Sequence, residues 1–297
     1  METVIIIGAG PAGLTAGLEL LKNGAGEYRV LLLEQSGEVG GISRTVRYNG
    51  NRMDIGGHRF FSKNRRVTEW WEEIMPLQGK PSFDDKLLGR EKELAPGGPD
   101  PETEDRVMLL RRRVSRIYYL KRFFDYPISM KWQTLRNMGF ARTMKAGFSY
   151  FKTIFHKRQE NSLEDFYINR FGKVLYSMFF EGYTEKLWGR HPSGLSADWG
   201  AQRVKGLSIA AVIQDMLQKL LPKSKTKKAR VETSLIEEFV YPKFGPGQLW
   251  ETVAERIKDL GGEIHMHCRV KRLRTENGRV TGVVCEENGK EVVYEGD

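Results

Sequence analysis

Three glycines in Gly8-Ala-Gly10-Pro-Ala-Gly13 follow directly on the β-branched run TVIII, residues 3 to 7. They open a segment in which Leu14, Leu18 and Leu21 recur at helical spacing. The chemistry this order suits is the cradling of a pyrophosphate. Gly8 permits a tight turn, Gly10 lets the backbone approach the phosphates, and Gly13 lets the helix pack on the strand. Pro11 and Ala12 start a helix whose N-terminus adds amide donors and the positive end of a dipole. A second apolar run, YRVLLLEQ, carries Glu34, ~20 residues beyond the last glycine, where a carboxylate accepts ribose hydroxyls. A glycine-rich turn in an ordinary α/β protein would leave Glu34 without a role. Strand, helix, strand and acid together indicate a dinucleotide-binding βαβ unit.

Two further glycine pairs follow. Gly40-Gly41 leads into Arg44, and Gly56-Gly57 precedes His58 in MDIGGHRFFSK. Paired glycines imply close approach of something to the backbone, and Arg44 can offer a bidentate contact to phosphate. Its plainer role is a surface salt bridge. Residues 3 to 58 resemble the FAD-binding flavoproteins of the amine oxidase and protoporphyrinogen oxidase group. That resemblance implies FAD rather than NAD, bound non-covalently. It implies that Gly40, Gly41 and Arg44 wrap the adenosine and pyrophosphate; Gly56, Gly57 and His58 resemble the Gly-(Gly/Ala)-His that the UDP-galactopyranose mutases place beside the flavin ring.

A second resemblance is narrower. FFEGYTEKLWGRHPSGLSADWGAQRV, residues 179 to 204, is similar to a stretch of the UDP-galactopyranose mutases, where Tyr-Thr-x-Lys-x-Trp-Gly leads into a loop bearing an arginine. The matching positions are Tyr183, Thr184, Lys186, Trp188, Gly189 and, by spacing, Arg203. IGGHRFFS, LKRFFDYPIS and PKFGPGQLWETVAERI have counterparts there in the same order. The resemblance implies interconversion of the pyranose and furanose forms of a UDP-sugar through a reduced-flavin adduct, in cell-envelope polysaccharide (LPS) synthesis. On that reading Arg203 clamps the diphosphate, Tyr183 and Trp188 line the substrate pocket, and His58 helps set the charge of the flavin. His58 and Arg203 are thus the catalytic candidates. From the residues alone, the two aromatics share a helical stretch with Phe179 and Phe180 and would as readily be core. Arg203 would as readily be a helix-surface cation. Phe61 stands where the mutases often carry a second histidine, and VKGLS follows Arg203 in place of Pro-Val-Arg. The alternative is an FAD-dependent oxidoreductase of the amine oxidase or protoporphyrinogen oxidase type, in which flavin accepts hydride in a largely apolar pocket.

The elements that must position these residues define an α/β fold. An FAD-binding Rossmann-type domain with a parallel sheet is expected over 1–75 and 241–297. It is interrupted by a substrate-binding domain of helices and antiparallel sheet over 76–240. LGREKELAPGGPDPETED predicts an exposed loop. RVMLLRRRVSRIYYLKRFFDYP predicts two strands, and 129–221 is mostly helical, with Ser162 capping NSLEDFYINRFG. After a basic linker, PKSKTKKAR, comes a helix from Leu249 to Leu260. A strand and a hairpin turning at Asn288-Gly289 complete the pattern. The chain stops in a hairpin strand, so a further flavin-binding strand and the later arginine and tyrosines of the mutases are expected beyond Asp297.

Composition limits the partners. The 297 residues are 40% hydrophobic and 29% charged, as in a globular protein. No apolar run approaches the ~20 residues that span a bilayer, and METVIIIGAG lacks the features of a signal peptide. A cytoplasmic protein with no transmembrane segment is expected. Cys268 and Cys285 have no C-x-x-C companion, so neither zinc nor a disulfide framework is indicated. His265 and His267 are expected to face solvent, opposite a core face of Ile264, Met266, Cys268 and Val270, and not to bind metal. The net charge of +10 suits an acidic or phosphorylated small molecule such as a nucleotide sugar. The basic linker has no interleaved aromatics, which argues against nucleic acid. No amphipathic segment is singled out for a membrane surface, and a homodimer is left open.

Overall fold

The computed structural model describes residues 1–24, 26–125, 132–199 and 238–297. It divides into two compact units, 1–112 with 238–297, and 113–237. Arg203 and the basic linker lie outside the described residues.

In the first unit, β1 (Glu2–Ile7), α1 (Pro11–Asn23) and β2 (Tyr28–Leu33) form the expected βαβ unit. The strands are parallel, in register from Glu2↔Tyr28 to Ile7↔Leu33. A third parallel strand, β9 (Glu263–His265), joins the far side of β2 and gives the order β1-β2-β9. Among the described strands β1 is therefore an edge. The TVIII run stays half-buried and Ile7 is exposed, whereas Val30 to Leu33 of β2 are buried on both faces.

The alternation of β2 separates two cores. Val30 and Leu32 pack with Leu14 and Leu18 of α1 and with Leu249, Val253 and Ile257 of α8 (Pro246–Asp259). Leu33 faces Cys268, Val283 and Cys285. These belong to an antiparallel sheet of β10 (Cys268–Glu276), β11 (Arg279–Glu287) and β12 (Lys290–Glu295). Asn288 and Gly289 both have positive φ, as a two-residue hairpin requires, and so do Asn277 and Gly278 at the preceding turn. The predicted core face at 264–270 is broken. His267 has φ 58 and turns the chain between β9 and β10, while His265 bonds to Tyr294 and Glu263.

Residues 76–112, assigned from sequence to the inserted domain, fold within the first unit. Two short pieces precede this segment: the hairpin of β3 (Thr45–Tyr48) with β4 (Asn51–Asp54), and α2 (Arg65–Ile74). β5 (Met108–Arg112) pairs antiparallel with β8 (Glu238–Pro242), and Met108 joins Ile74 and Met75 in the core. The polar stretch before β5 is irregular, as expected, but it is anchored where Gly79 donates to the carbonyl of Pro99 at 2.9 Å. Within this segment α3 (Phe83–Leu87) opens with a capping box between Ser82 and Asp85.

The second unit contains a hairpin of β6 (Arg116–Tyr119) and β7 (Arg122–Asp125), followed by α4 (Trp132–Met138), α5 (Phe140–Phe155) and α6 (Leu163–Tyr176). The stretch read as two strands is three, because β5 separates from the hairpin and pairs with β8. Ser162 caps α6 as expected, its Oγ accepting from the Asp165 amide. A π-helical turn, Ser177–Glu181, then leads into α7 (Gly182–Trp188). Phe124, Met138, Ala146 and Phe179 form the core here.

Candidate functional site

The turn from β1 into α1 is held by its own glycines. Gly8 has φ +96 and donates to Leu33 O at 2.8 Å, which ties the turn to β2. A Cβ on Gly13 would lie 2.0 Å from Gly8 O. The helix starts with Pro at its first turn and no side-chain cap. Its leading amides have no intrahelical acceptor and are available to an anion.

Glu34 sits at the end of β2 and is buried. One carboxylate oxygen accepts from the Ala9 amide at 2.9 Å, and the other from the amide and hydroxyl of Ser36 at 2.9 and 2.8 Å. Burial alone would raise its pKa. The bonds from Ser36 and Ala9, with the Arg44 charge, outweigh that and hold it below the ordinary range. Glu34 is thus an ionised acid aimed at the glycine turn. Ser36 and Ala9, its partners, carry no sequence signal of their own.

The second glycine pair meets the first. Gly40 donates to Ala9 O at 2.8 Å, and a Cβ on Gly41 would stand 3.2 Å from the Cα of Gly10. The close approach inferred from this pair is an approach of the two glycine segments to one another. Both have positive φ, 96 and 54. Arg44 pairs with Glu38 at 3.4 Å and donates to Gly41 O at 3.3 Å, so the plain salt bridge is present and lies against the same rim. Behind the rim, Thr45 Oγ1 donates to Asp54 and accepts from the Gly247 amide at 3.0 Å, fixing the β3–β4 hairpin to the start of α8.

At the third pair, Gly56 O accepts from the His58 amide at 3.0 Å, and the His58 ring folds back beside Gly56. A Cβ on Gly57 would meet nothing within 4 Å among the described residues, and its φ is not left-handed. Packing of the chain on itself therefore does not account for Gly57. Phe60 stacks on Trp71 at 3.7 Å, while Phe61 is exposed.

In the second unit the aromatics divide. Phe179 is core and Phe180 stacks on Tyr167 and Phe171, whereas Tyr183 is 67% exposed and Trp188 is 37% exposed. Trp188 meets Trp199 edge-on at 4.8 Å. Thr184 is buried, Lys186 is exposed, and Gly189 closes α7 with φ 64. The core reading of Tyr183 and Trp188 is thereby replaced by a surface one. His191 bonds to Ser193 at 2.8 Å and to Glu181 at 3.3 Å.

Residues 11–297 match the profile of the flavin containing amine oxidoreductase family. A curated relative, the 4,4'-diapophytoene desaturase (4,4'-diapolycopene-forming) of Methylomonas sp., is 23% identical over 99% of this chain and 53% of its own length. The fold resembles that of reduced UDP-galactopyranose mutase, with TM-score 0.65 and 18% identity over 100% of this chain and 54% of the other. It also resembles a protoporphyrinogen oxidase-like protein from Exiguobacterium sp. 255-15, with TM-score 0.55 and 15% identity over 98% and 57%. The chain spans about half the length of each.

Proposed function

The chain belongs to the flavin-containing amine oxidoreductases and its cofactor is FAD; from that premise we propose a mutase acting on a UDP-sugar. The cradle fits the nucleotide end of FAD. The free amides of α1 and the Gly10 backbone take the pyrophosphate, and Glu34 takes ribose hydroxyls on the adenosine side. Gly40, Gly41 and Arg44 form the rim. Gly56 and Gly57 leave room for a flat ring, and His58 stands beside it. When bound, the flavin supplies nucleophilic or hydride chemistry, and the protein binds and orients.

The observation that carries the mutase reading is the exposure of Tyr183 and Trp188 on α7. An exposed aromatic ring with a lysine three residues on, as Tyr183 and Lys186 stand on α7, suits a sugar or a uracil and a diphosphate; a purely apolar substrate would favour buried aliphatic walls. Arg203 takes the role of diphosphate clamp. Oxidoreductase chemistry is the second reading, favoured by the name of the Methylomonas relative.

Reduced protein given UDP-galactofuranose without oxygen is expected to form the pyranose, with its flavin still reduced at the end. No conversion, together with flavin turnover on an amine, a porphyrinogen or a polyene, establishes the oxidoreductase instead. For the cofactor site, Glu34→Gln is expected to weaken FAD binding about 10- to 100-fold, because a charge-assisted pair of hydrogen bonds to ribose is worth ~1.5–3 kcal/mol. Flavin fluorescence titration of the apoprotein measures this, and unchanged affinity removes Glu34 from the site.

A further inference from the structure

A helix on a protein surface normally turns its apolar stripe inward, and α5 does the reverse. Phe140, Met144, Phe148, Phe151 and Phe155 follow one another at helical spacing, and each is between 44 and 83% exposed. The face that packs inward is built from small groups. Ala146 and Thr153 are buried, and the Ser149 Oγ accepts from the Val174 amide of α6 at 3.2 Å. Gly172 of α6 comes so near that a Cβ there would lie 2.8 Å from the Tyr150 nitrogen. The helix is thus seated closely by its small residues, and its aromatic stripe is left outward.

The charge carried by this stretch of chain has one sign, with Arg158 paired to Asp165 of α6 at 3.3 Å. Residues 132–158 carry Arg136, Arg142, Lys145, Lys152, Lys157 and Arg158 and no aspartate or glutamate. Lys145 and Lys152, two turns apart, share one side of α5 and are exposed.

We propose that α5 docks on the surface of an anionic lipid bilayer, stripe downward, with its cations on lipid phosphates. Apolar side chains at the headgroup boundary and clustered lysine or arginine beside them are the two terms of such binding. The attachment is peripheral: no helix among the described residues is long and apolar enough to cross a membrane. Pairing of this face with itself in a symmetric dimer would set like charges against each other.

Flotation of the full-length, flavin-loaded protein with vesicles tests the proposal. Binding is expected to phosphatidylcholine vesicles containing phosphatidylglycerol, weakening with salt and with removal of the anionic lipid. Phe148→Ser with Phe151→Ser is expected to weaken it at least about tenfold. Lys145→Gln with Lys152→Gln is expected to weaken it about 25-fold, at about fivefold per charge. An unchanged flavin spectrum shows that each variant is folded. No binding by the parent, or equal binding by parent and both variants, overturns the proposal. So does a dimer, seen by light scattering and abolished by the phenylalanine variant, in a protein that ignores vesicles.

Discussion

Gly13→Val is expected to yield a protein that retains no flavin on purification and melts well below its parent. The valine Cβ would stand 2.0 Å from Gly8 O and 3.1 Å from Ile6 Cγ2. The first of these is backbone, and it belongs to a turn already held by Gly8 at φ +96 and by its bond to Leu33. Relief requires α1 to move off the sheet, which separates Leu14 and Leu18 from Val30 and Leu32. Overpacking of this kind costs about 3 kcal/mol, and the α1 amides proposed to hold the pyrophosphate move with the helix. Circular dichroism melts and the absorbance of bound flavin read the two effects. Gly57→Ala is the contrast: with open space around its Cβ, the apoprotein should melt like the parent, and loss should appear only in flavin affinity. A stable, yellow Gly13→Val protein would show that the turn is not the cradle.

The parts of this fold that were legible in the sequence are those decided locally. The Ser162 cap and the Asn288-Gly289 turn depend on neighbours within a few residues, and the βαβ unit on strand and helix patterns within the first 33 residues; the structure has all three. What was not legible depends on distant partners. The purpose of Gly41 is a contact with Gly10, and the exposure of β1 follows from its having, among the described strands, a neighbour on one side alone. The apolar stripe of α5 is exposed although nothing in the sequence sets it apart, because periodicity does not say which helix faces protein covers. Phe179 and Tyr183 are four apart and would share a helix face, yet one is core and the other is exposed. The π turn at Ser177–Glu181 explains the difference, since its wider winding changes the phase of every side chain that follows.

The buried pair Asp85–Lys92 is expected to give the largest stability effect outside the glycine turn. Their side chains are 0 and 7% exposed and lie 2.7 Å apart. Asp85 also accepts from the amide and hydroxyl of Ser82 at 3.0 and 2.8 Å, and Lys92 donates to Leu110 O at 2.6 Å, which joins α3 to β5. Asp85→Ala strands the ammonium of Lys92 in the interior, at a cost of about 3–5 kcal/mol by urea unfolding at neutral pH. Replacing both partners together, Asp85→Leu with Lys92→Met, should recover most of that loss, because the ammonium is gone and Arg111, which also lies 3.6 Å from Asp85, keeps its pairing with Asp84 at 3.4 Å. The pH dependence has a definite sign. Burial alone would raise the pKa of Asp85, but bonds from Lys92, Ser82 and Gln78 outweigh it and hold the carboxyl well below the usual range. A depressed carboxylate contributes stability above its unfolded pKa of about 4, and that contribution is lost as pH falls toward and through the folded value. The cost of Asp85→Ala should therefore shrink as unfolding is measured at successively lower pH below about 4. A cost that stays constant across that window, or is already below about 1 kcal/mol at neutral pH, would mean that the pair does not hold the segment in place.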